Sequence, residues 1–338
     1  MLEKSQLRSD PIVTNRATPF ALYGAILIAA GIAAFLFGAL LGVIRLIVGN
    51  PAWLLSVNEA IVWYSAAPVV FGIVCIAKDI LFAVGAKRAR KKVRFDDLAN
   101  DQVTAVLTAY NDELSIHQAV RDFAASPHVK RVVVVSNNST DKTEGEAARA
   151  GAIVFNEMKR GYGACVVRAL SEGCRFDDTE LVLLCEGDMT FRATDIPKFL
   201  AYAPHADIVN GTRIVEQLQE SSTQISTFIH YGNFVVAKLL EMKYLGESTL
   251  SDVGTTYKLC RKGPLLELLP HLDSDVNLEF NPHLLEQAIR RGLAVVECPI
   301  TFHPRVGASK GGNVSNPVAM KVGLRMIAGI VLGWDRIK

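Results

Sequence analysis

Apolar positions are distributed along this chain in two different ways. Before Lys87 they form long unbroken runs; after Gln102 they form short runs separated by polar, helix-period segments. The first long run, Phe20 to Ile44, contains no charged side chain. At about 1.5 Å rise per residue it is long enough to cross a hydrocarbon core of ~30 Å. It has no cleavage-type small-residue site after a short apolar stretch, so it does not read as a signal peptide. The second run, Ala60 to Ala77, contains Pro68 and resumes after Lys78 and Asp79 as ILFAVGA. It reads as a second spanning helix, with a kinked or re-entrant segment as the alternative. The connecting stretch VGNPAWLLSVN has no Lys or Arg, whereas KRARKKVR (87–94) follows the second run and Lys4, Arg8 and Arg16 precede the first. This asymmetry places both ends of a hairpin in the cytoplasm, with the basic cluster at anionic headgroups.

From Val103 onward VTAVLTAY, RVVVVSN, AIVFN, LVLLCEGD and ADIVNGT read as strands. Segments near Glu113–Ala125, Lys142–Ala150, Tyr162–Gly173 and Asp195–Ala203 read as helices. Near-continuous Val and Leu runs are strands buried on both faces, so the expected fold is α/β, a mostly parallel sheet covered by helices. The expected organisation is a cytoplasmic tail (1–18), two transmembrane helices (19–86), a basic juxtamembrane linker (87–101), a catalytic domain (102–312) and a C-terminal segment (313–338). That last segment is apolar but carries Lys321 and Arg325, which suits an interfacial amphipathic helix better than a span.

Composition narrows the function. The formal charge of +2 over 338 residues gives no reason to expect nucleic-acid binding. The six cysteines include no Cys-x-x-Cys pair, which fits buried thiols in a reducing compartment rather than zinc or a disulfide framework.

In an open parallel sheet the ligand lies beyond the carboxyl ends of the strands. The first strand ends in Thr108-Ala109-Tyr110-Asn111-Asp112 and the second in Ser136-Asn137-Asn138-Ser139-Thr140-Asp141. These are turn-and-cap residues, and they also supply a ring to stack a base and short polar groups for its edges. The fourth strand ends in Glu186-Gly187-Asp188. Two carboxylates at a crevice suit a hard cation such as Mg²⁺ or Mn²⁺ that completes its shell with substrate phosphates, and Gly187 permits close approach to the backbone. The glycine-rich stretch 305–313 reads as a mobile loop closing over phosphates.

Seven blocks in order resemble the inverting family-two glycosyltransferases, and among them the dolichyl- or polyprenyl-phosphate hexose synthases. TAYND is similar to T-x-Y-N-E, VVSNNSTDKT to the strand-two signature, and KRGYGACVVRAL to the glycine-bearing helix start. CEGDMTF resembles the D-x-D metal motif, IVNGTR the G-S/T-R strand end, and SDVGTTYKL the D-x-x-S/T-G-F/Y-R/K segment. VECPITFHPRVGASK resembles E-x-P-I-x-F-x-x-R-x-G-x-S-K. The sequence departs from the pattern with Glu186 for the first metal-motif Asp, Thr190 for a metal-contacting Gln and Ser136 for the strand-two acid. In STFIHYGNF, where an acceptor Arg is expected, His230 is the only basic residue.

The resemblance implies a GT-A-type nucleotide-diphospho-sugar transferase domain. It implies roles in donor binding for Thr108, Tyr110, Asp112, Val135, Asn137, Gly187 and Arg213, and a metal held by Asp188 with Glu186. His230, Arg305 and Lys310 would meet the acceptor or phosphates, and Asp252 would face the acceptor as base or orienting group. The implied reaction moves a hexose from a UDP- or GDP-sugar to a polyprenyl phosphate with inversion, using Mg²⁺ or Mn²⁺. Transfer to a hydroxyl of a glycolipid or lipid-linked polysaccharide is the alternative reaction. A degenerate transferase serving as a membrane scaffold is the non-enzymatic one. The expected partners are the sugar donor, a lipid-linked acceptor, membrane lipids and, as one option, a second copy of the chain.

Overall fold

The computed structural model describes residues 17–88, 93–221, 223, 226–307 and 315–336. The chain divides into two compact units, one comprising Arg16–Lys91 with Glu241–Glu247, the other Lys92–Leu240 and Ser248–Lys338. Lys310, most of the cytoplasmic tail, part of the basic linker and most of the glycine-rich stretch lie outside the described residues.

The first unit is a hairpin of two apolar helices, α1 (Pro19–Ile47) and α2 (Ala52–Arg88), both long enough to cross a membrane. α2 starts earlier than its apolar run suggests and continues through Lys78 and Asp79, with a π-type turn at Asp79–Val84. The charge pair that looked like an interruption has work within the hairpin. Asp79 Oδ2 accepts the backbone N–H of Ala21 at 2.7 Å, satisfying one of the open donors of the first turn of α1. Lys78 Nζ sits 3.4 Å from the centre of the Phe20 ring. Pro68 follows a turn at Ser65, so the helix absorbs it where the ladder is already interrupted.

Apolar side chains gain little by leaving lipid for a helix partner, so close backbone packing has to hold such a pair. Gly24, Gly31 and Gly38 recur every seventh residue on the buried face of α1. A Cβ at Gly24 would lie 2.6 Å from Gly72 O, and one at Gly31 would lie 2.7 Å from Ser65 O. At Gly38 it would lie 2.8 Å from Val62 Cγ2, a register that makes the helices antiparallel. Asn58 Nδ2 adds a hydrogen bond to Gly38 O at 2.5 Å. Phe35, Leu36, Phe37, Leu40 and Leu46 face outward and stay exposed.

The second unit is the expected α/β domain. Its elements run β1 (Val103–Ala109), α3 (Ile116–Ala124), β2 (Val129–Ser136), α4 (Thr143–Arg149), β3 (Ile153–Asn156), α5 (Tyr162–Gly173) and β4 (Leu181–Glu186). They continue with α6 (Ile196–Tyr202), β5 (Ile208–Thr212), α7 (Thr227–Lys243), β6 (Lys258–Arg261), α8 (Lys262–Leu268), α9 (Phe280–Arg290), β7 (Val295–Pro299) and α10 (Asn316–Leu332). α10 falls within the C-terminal segment marked out by sequence.

The seven strands are ordered β3-β2-β1-β4-β6-β5-β7. β6 runs antiparallel to β4 and β5, and the other pairings are parallel. β1 and β4 lie side by side with Thr108 opposite Glu186, so the polar ends of two buried strands emerge together. Val103 through Leu107 and Leu181 through Cys185 are almost wholly buried, which anchors those ends to the stiffest part of the core.

The hairpin packing predicts a specific asymmetry. Gly31→Leu forces a side chain against the backbone of α2 and should lower the thermal midpoint in detergent, with overpacking costing about 1–3 kcal/mol. Gly85→Leu, at a position with nothing within 4 Å, should leave the midpoint unchanged. Equal effects would contradict the packing.

Candidate active site

Strand β4 delivers Glu186 to the sheet edge, and a tight turn carries the chain to Asp188. An added Cβ at Gly187 would come 2.4 Å from Ile116 Cδ1, so the close approach that needs glycine is to the start of α3. Met189 then adopts φ 69° while fully buried, a costly conformation for a non-glycine residue that the surrounding core must enforce. That turn aims both carboxylates the same way.

Asp188 is 1% exposed. Its Oδ1 accepts the backbone N–H of Thr190 at 2.9 Å and the Thr190 hydroxyl at 2.6 Å. Thr190, one of the departures from the family pattern, therefore orients the aspartate locally. Arg305 forms an ion pair with Asp188 Oδ2 and lies 3.3 Å from Glu186 Oε2. Two backbone bonds set the position of that arginine: His303 N to Thr190 O and Val306 N to Asp188 O, each 3.0 Å. Burial first, and then the adjacent Asp188 charge, push the Glu186 carboxyl upward, while Arg305 opposes the shift. Among the described residues one guanidinium flanks the two carboxylates, which leaves a demand for positive charge. Among the described residues no third His, Cys, Asp or Glu joins them. The oxygen donor set fits a hard divalent cation that takes its remaining ligands from phosphates and water.

A second ion pair lies alongside. Arg213, at the end of β5, donates from Nε to Asp252 Oδ2 at 2.7 Å and from Nη2 to Oδ1 at 2.8 Å. The Arg213 and Gly254 backbone N–H groups and the Thr255 hydroxyl donate to the same carboxylate, at 3.2, 3.0 and 2.7 Å. Burial would raise the Asp252 pKa, but Arg213 and these donors overcome it and hold the group at about 2. Glu297 fixes the segment from behind, accepting the N–H groups of Ser251 at 2.8 Å and Asp252 at 3.0 Å. Lys258, fully buried, donates to Thr255 O, and burial lowers its pKa to about 8. A carboxylate this saturated and this acidic is a poor proton acceptor, which favours the orienting role for Asp252 over the basic one. Arg213 in turn spends its charge on Asp252.

The end of the site expected to meet the nucleotide is laced together from two loops. Asn111 N donates to Ser139 Oγ at 3.0 Å, Thr140 N to Asn111 Oδ1 at 2.8 Å and Asp112 N to Thr143 Oγ1 at 2.7 Å. Asn111 and Asn138 take positive φ at these turns. Tyr110 is 47% exposed and offers a ring face, while Asp112 Oδ2 accepts its N–H at 2.9 Å. Thr108 is buried and accepts the Gly187 N–H through its carbonyl at 3.0 Å.

Two of the base-reading candidates are placed differently from expectation. Val135 is wholly buried in β2, paired on both sides, with Cys165 Sγ reaching its carbonyl at 3.4 Å. The Asn137 amide donates to Glu157 O and Lys159 O at 3.1 and 2.7 Å and accepts Gly161 N–H at 2.9 Å. It shapes the loop before α5 rather than presenting an open edge. His230 lies on α7 with its ring edge-on to Tyr231 at 5.2 Å, outside the carboxylate cluster. The sequence reading missed Tyr162, Thr256 and Asn281, which connect to Glu186 from behind. The first two lie inside quoted motifs, whereas Asn281 carries no local signal.

Comparison with known proteins adds the family context. The model of Glycosyl transferase family 2 matches residues 104–268. A dolichyl-phosphate hexose transferase of Haloferax volcanii is 28% identical over 217 residues, covering 64% of this chain and 87% of the relative. An uncharacterized glycosyltransferase of Mycobacterium tuberculosis is 32% identical over 212 residues, covering 62% of this chain and 89% of the relative. Glucosyl-3-phosphoglycerate synthase of Mycobacterium tuberculosis, solved with Mn²⁺ and UDP-glucose, superposes with a TM-score of 0.52 over 74% of this chain and 82% of that one. At 17% identity this likeness concerns the fold.

The Asp252–Arg213 pair sets a stability signature. Asp252→Asn leaves a buried guanidinium uncompensated and should cost about 3–5 kcal/mol. Because folding depresses the Asp252 pKa, the pair's contribution is complete above the unfolded carboxylate value of about 4. It is lost as pH falls from there toward 2. The gap between wild type and variant should therefore shrink as pH falls from about 4 toward 2. A gap that stays unchanged across that range would contradict the pairing.

Proposed function

The chain belongs to glycosyl transferase family 2, and on that premise we propose that it transfers a hexose from a UDP- or GDP-sugar to a polyprenyl phosphate with inversion, at the cytoplasmic face of a membrane. The observation that carries the acceptor assignment is the condition of Asp252. A neutral hydroxyl acceptor needs a general base, and the carboxylate at the expected place is saturated by donors and held at about 2. An ionised phosphate needs none.

A second feature points to a lipid. An apolar groove of about 500 Å³ runs between α7 and α10, lined by Phe228, Tyr231, Val235, Met320, Leu324 and Ile327 among others. Asn233, one of its polar members, abuts Gly254, where an added Cβ would come 2.9 Å from Asn233 Oδ1 and 3.1 Å from Arg213 Nη2. A polyprenyl chain in this groove would bring its phosphate to the Asp252–Arg213 side of the site. The two apolar helices and the basic stretch beside them support a membrane anchor with the catalytic unit in the cytoplasm.

In this scheme Glu186 and Asp188 hold Mg²⁺ or Mn²⁺. Such an ion, when bound, stabilises negative charge on the departing diphosphate. Arg305 pairs with both carboxylates and is placed to exchange them for a phosphate. The exposed ring of Tyr110 stacks the base, and the laced loops 110–112 and 139–143 fix the pocket around it. Asp252 holds Arg213 in one orientation beside the acceptor phosphate. The phosphate oxygen forms the new bond to the anomeric carbon as the bond to the diphosphate oxygen breaks, both electrons leaving with the nucleotide. Alignment accounts for much of the rate.

The test compares acceptors. Membranes containing the full chain, supplied with labelled UDP- and GDP-sugars, should label polyprenyl phosphate and leave a glycolipid bearing only hydroxyl groups unlabelled. Labelling of the hydroxyl acceptor alone would overturn the phosphate assignment.

A further inference from the structure

Behind Glu186 lies a short chain of hydrogen bonds that the reaction scheme does not use. Asn281, at the start of α9 and 5% exposed, donates from Nδ2 to Gly254 O at 3.1 Å and to the Tyr162 hydroxyl at 3.0 Å, with a longer contact to Thr256 Oγ1 at 3.4 Å. The Tyr162 hydroxyl, from the first residue of α5, is hydrogen-bonded to Thr256 Oγ1. Thr256, 2% exposed, donates to Glu186 Oε1 at 2.7 Å.

The direction of every bond follows from donor and acceptor capacity. Gly254 O can only accept, which sets the Asn281 amide with its nitrogen toward Tyr162. The phenol oxygen accepts from that nitrogen, so its single hydrogen goes to Thr256. Thr256 accepts it, so its own hydrogen goes to Glu186. The series ends on a carboxyl oxygen, and in such a chain each bond polarises the next. Oε1 is thereby held from the protein side, and Oε2 remains on the side of Arg305.

Glutamate has one more rotatable bond than the aspartate usual at this motif position. Left unsupported, it would spread over several rotamers and lose part of its value as a ligand. We propose that Asn281, Tyr162 and Thr256 form a one-way hydrogen-bond relay that holds Glu186 as a pre-oriented ligand for the divalent cation, with Tyr162 and Asn281 as positioning residues acting through Thr256. The relay rests on the reading of Glu186 and Asp188 as the metal site. Outer-sphere partners of metal ligands typically change affinity by about 10–100-fold when removed.

The test is Mn²⁺ binding to the detergent-purified full chain without nucleotide, followed by the electron paramagnetic resonance signal of free Mn²⁺. Thr256→Val should weaken binding about tenfold, and Thr256→Ser should restore it. Tyr162→Phe should weaken binding severalfold in the wild-type background. It should change binding by less than about twofold when Thr256 is already Val, because the two act in series. Wild-type affinity in Tyr162→Phe, or losses that simply multiply in the double variant, would overturn the relay while leaving the metal site intact. Mn²⁺ binding that survives Asp188→Asn unchanged would overturn the metal site itself, and the relay with it.

Discussion

Negative charge concentrated at the carboxyl end of β4 is the constraint around which the catalytic unit is arranged. Asp188 is buried and Glu186 keeps about a quarter of its side chain exposed, and both lie where Arg305 is the guanidinium that answers them. Burying charge is costly unless partners are close and well directed. Thr190 and Thr256 donate to one oxygen of each carboxylate, and Arg305 takes the other side. Arg305 is in turn placed by backbone bonds between segment 303–306 and the metal-motif turn. The strained Met189 belongs to the same arrangement, since relaxing it would move Asp188.

The neighbouring Asp252–Arg213 pair obeys the same rule with the opposite outcome. There the charges satisfy one another so fully that neither is available for proton transfer. Among the described residues, one site holds two carboxylates against a single guanidinium. The other is closed and serves as a fixed support. In the proposed reaction this contrast would separate the end that receives a diphosphate from the end that orients an acceptor.

Much of this was legible in the sequence because the relevant signals are local. Val and Leu runs marked β1, β2 and β4, and the acid pair at the end of β4 was visible as a motif. β6 was hidden because it is four residues long and starts with a lysine whose burial depends on Thr255 and Asp252. Asp79 looked like an interruption of a membrane helix, since only the tertiary contact with Ala21 explains it. Asn137 sits at the end of the right strand, but three hydrogen bonds to the 157–161 loop engage its amide. Asn281 was invisible because its role depends on Tyr162 and Gly254, distant in sequence.

In the proposed reaction Glu186 and Asp188 bind a nucleoside diphosphate through a divalent cation. Thermal unfolding of the full chain in detergent, with UDP or GDP and with Mn²⁺ or EDTA, tests it most directly. One of the two nucleotides should raise the midpoint only when Mn²⁺ is present, with a stabilisation of about 2.7 kcal/mol at a hundredfold excess over its dissociation constant. The shift should vanish in Asp188→Asn. Equal protection in EDTA, or an undiminished shift in Asp188→Asn, would contradict the claim.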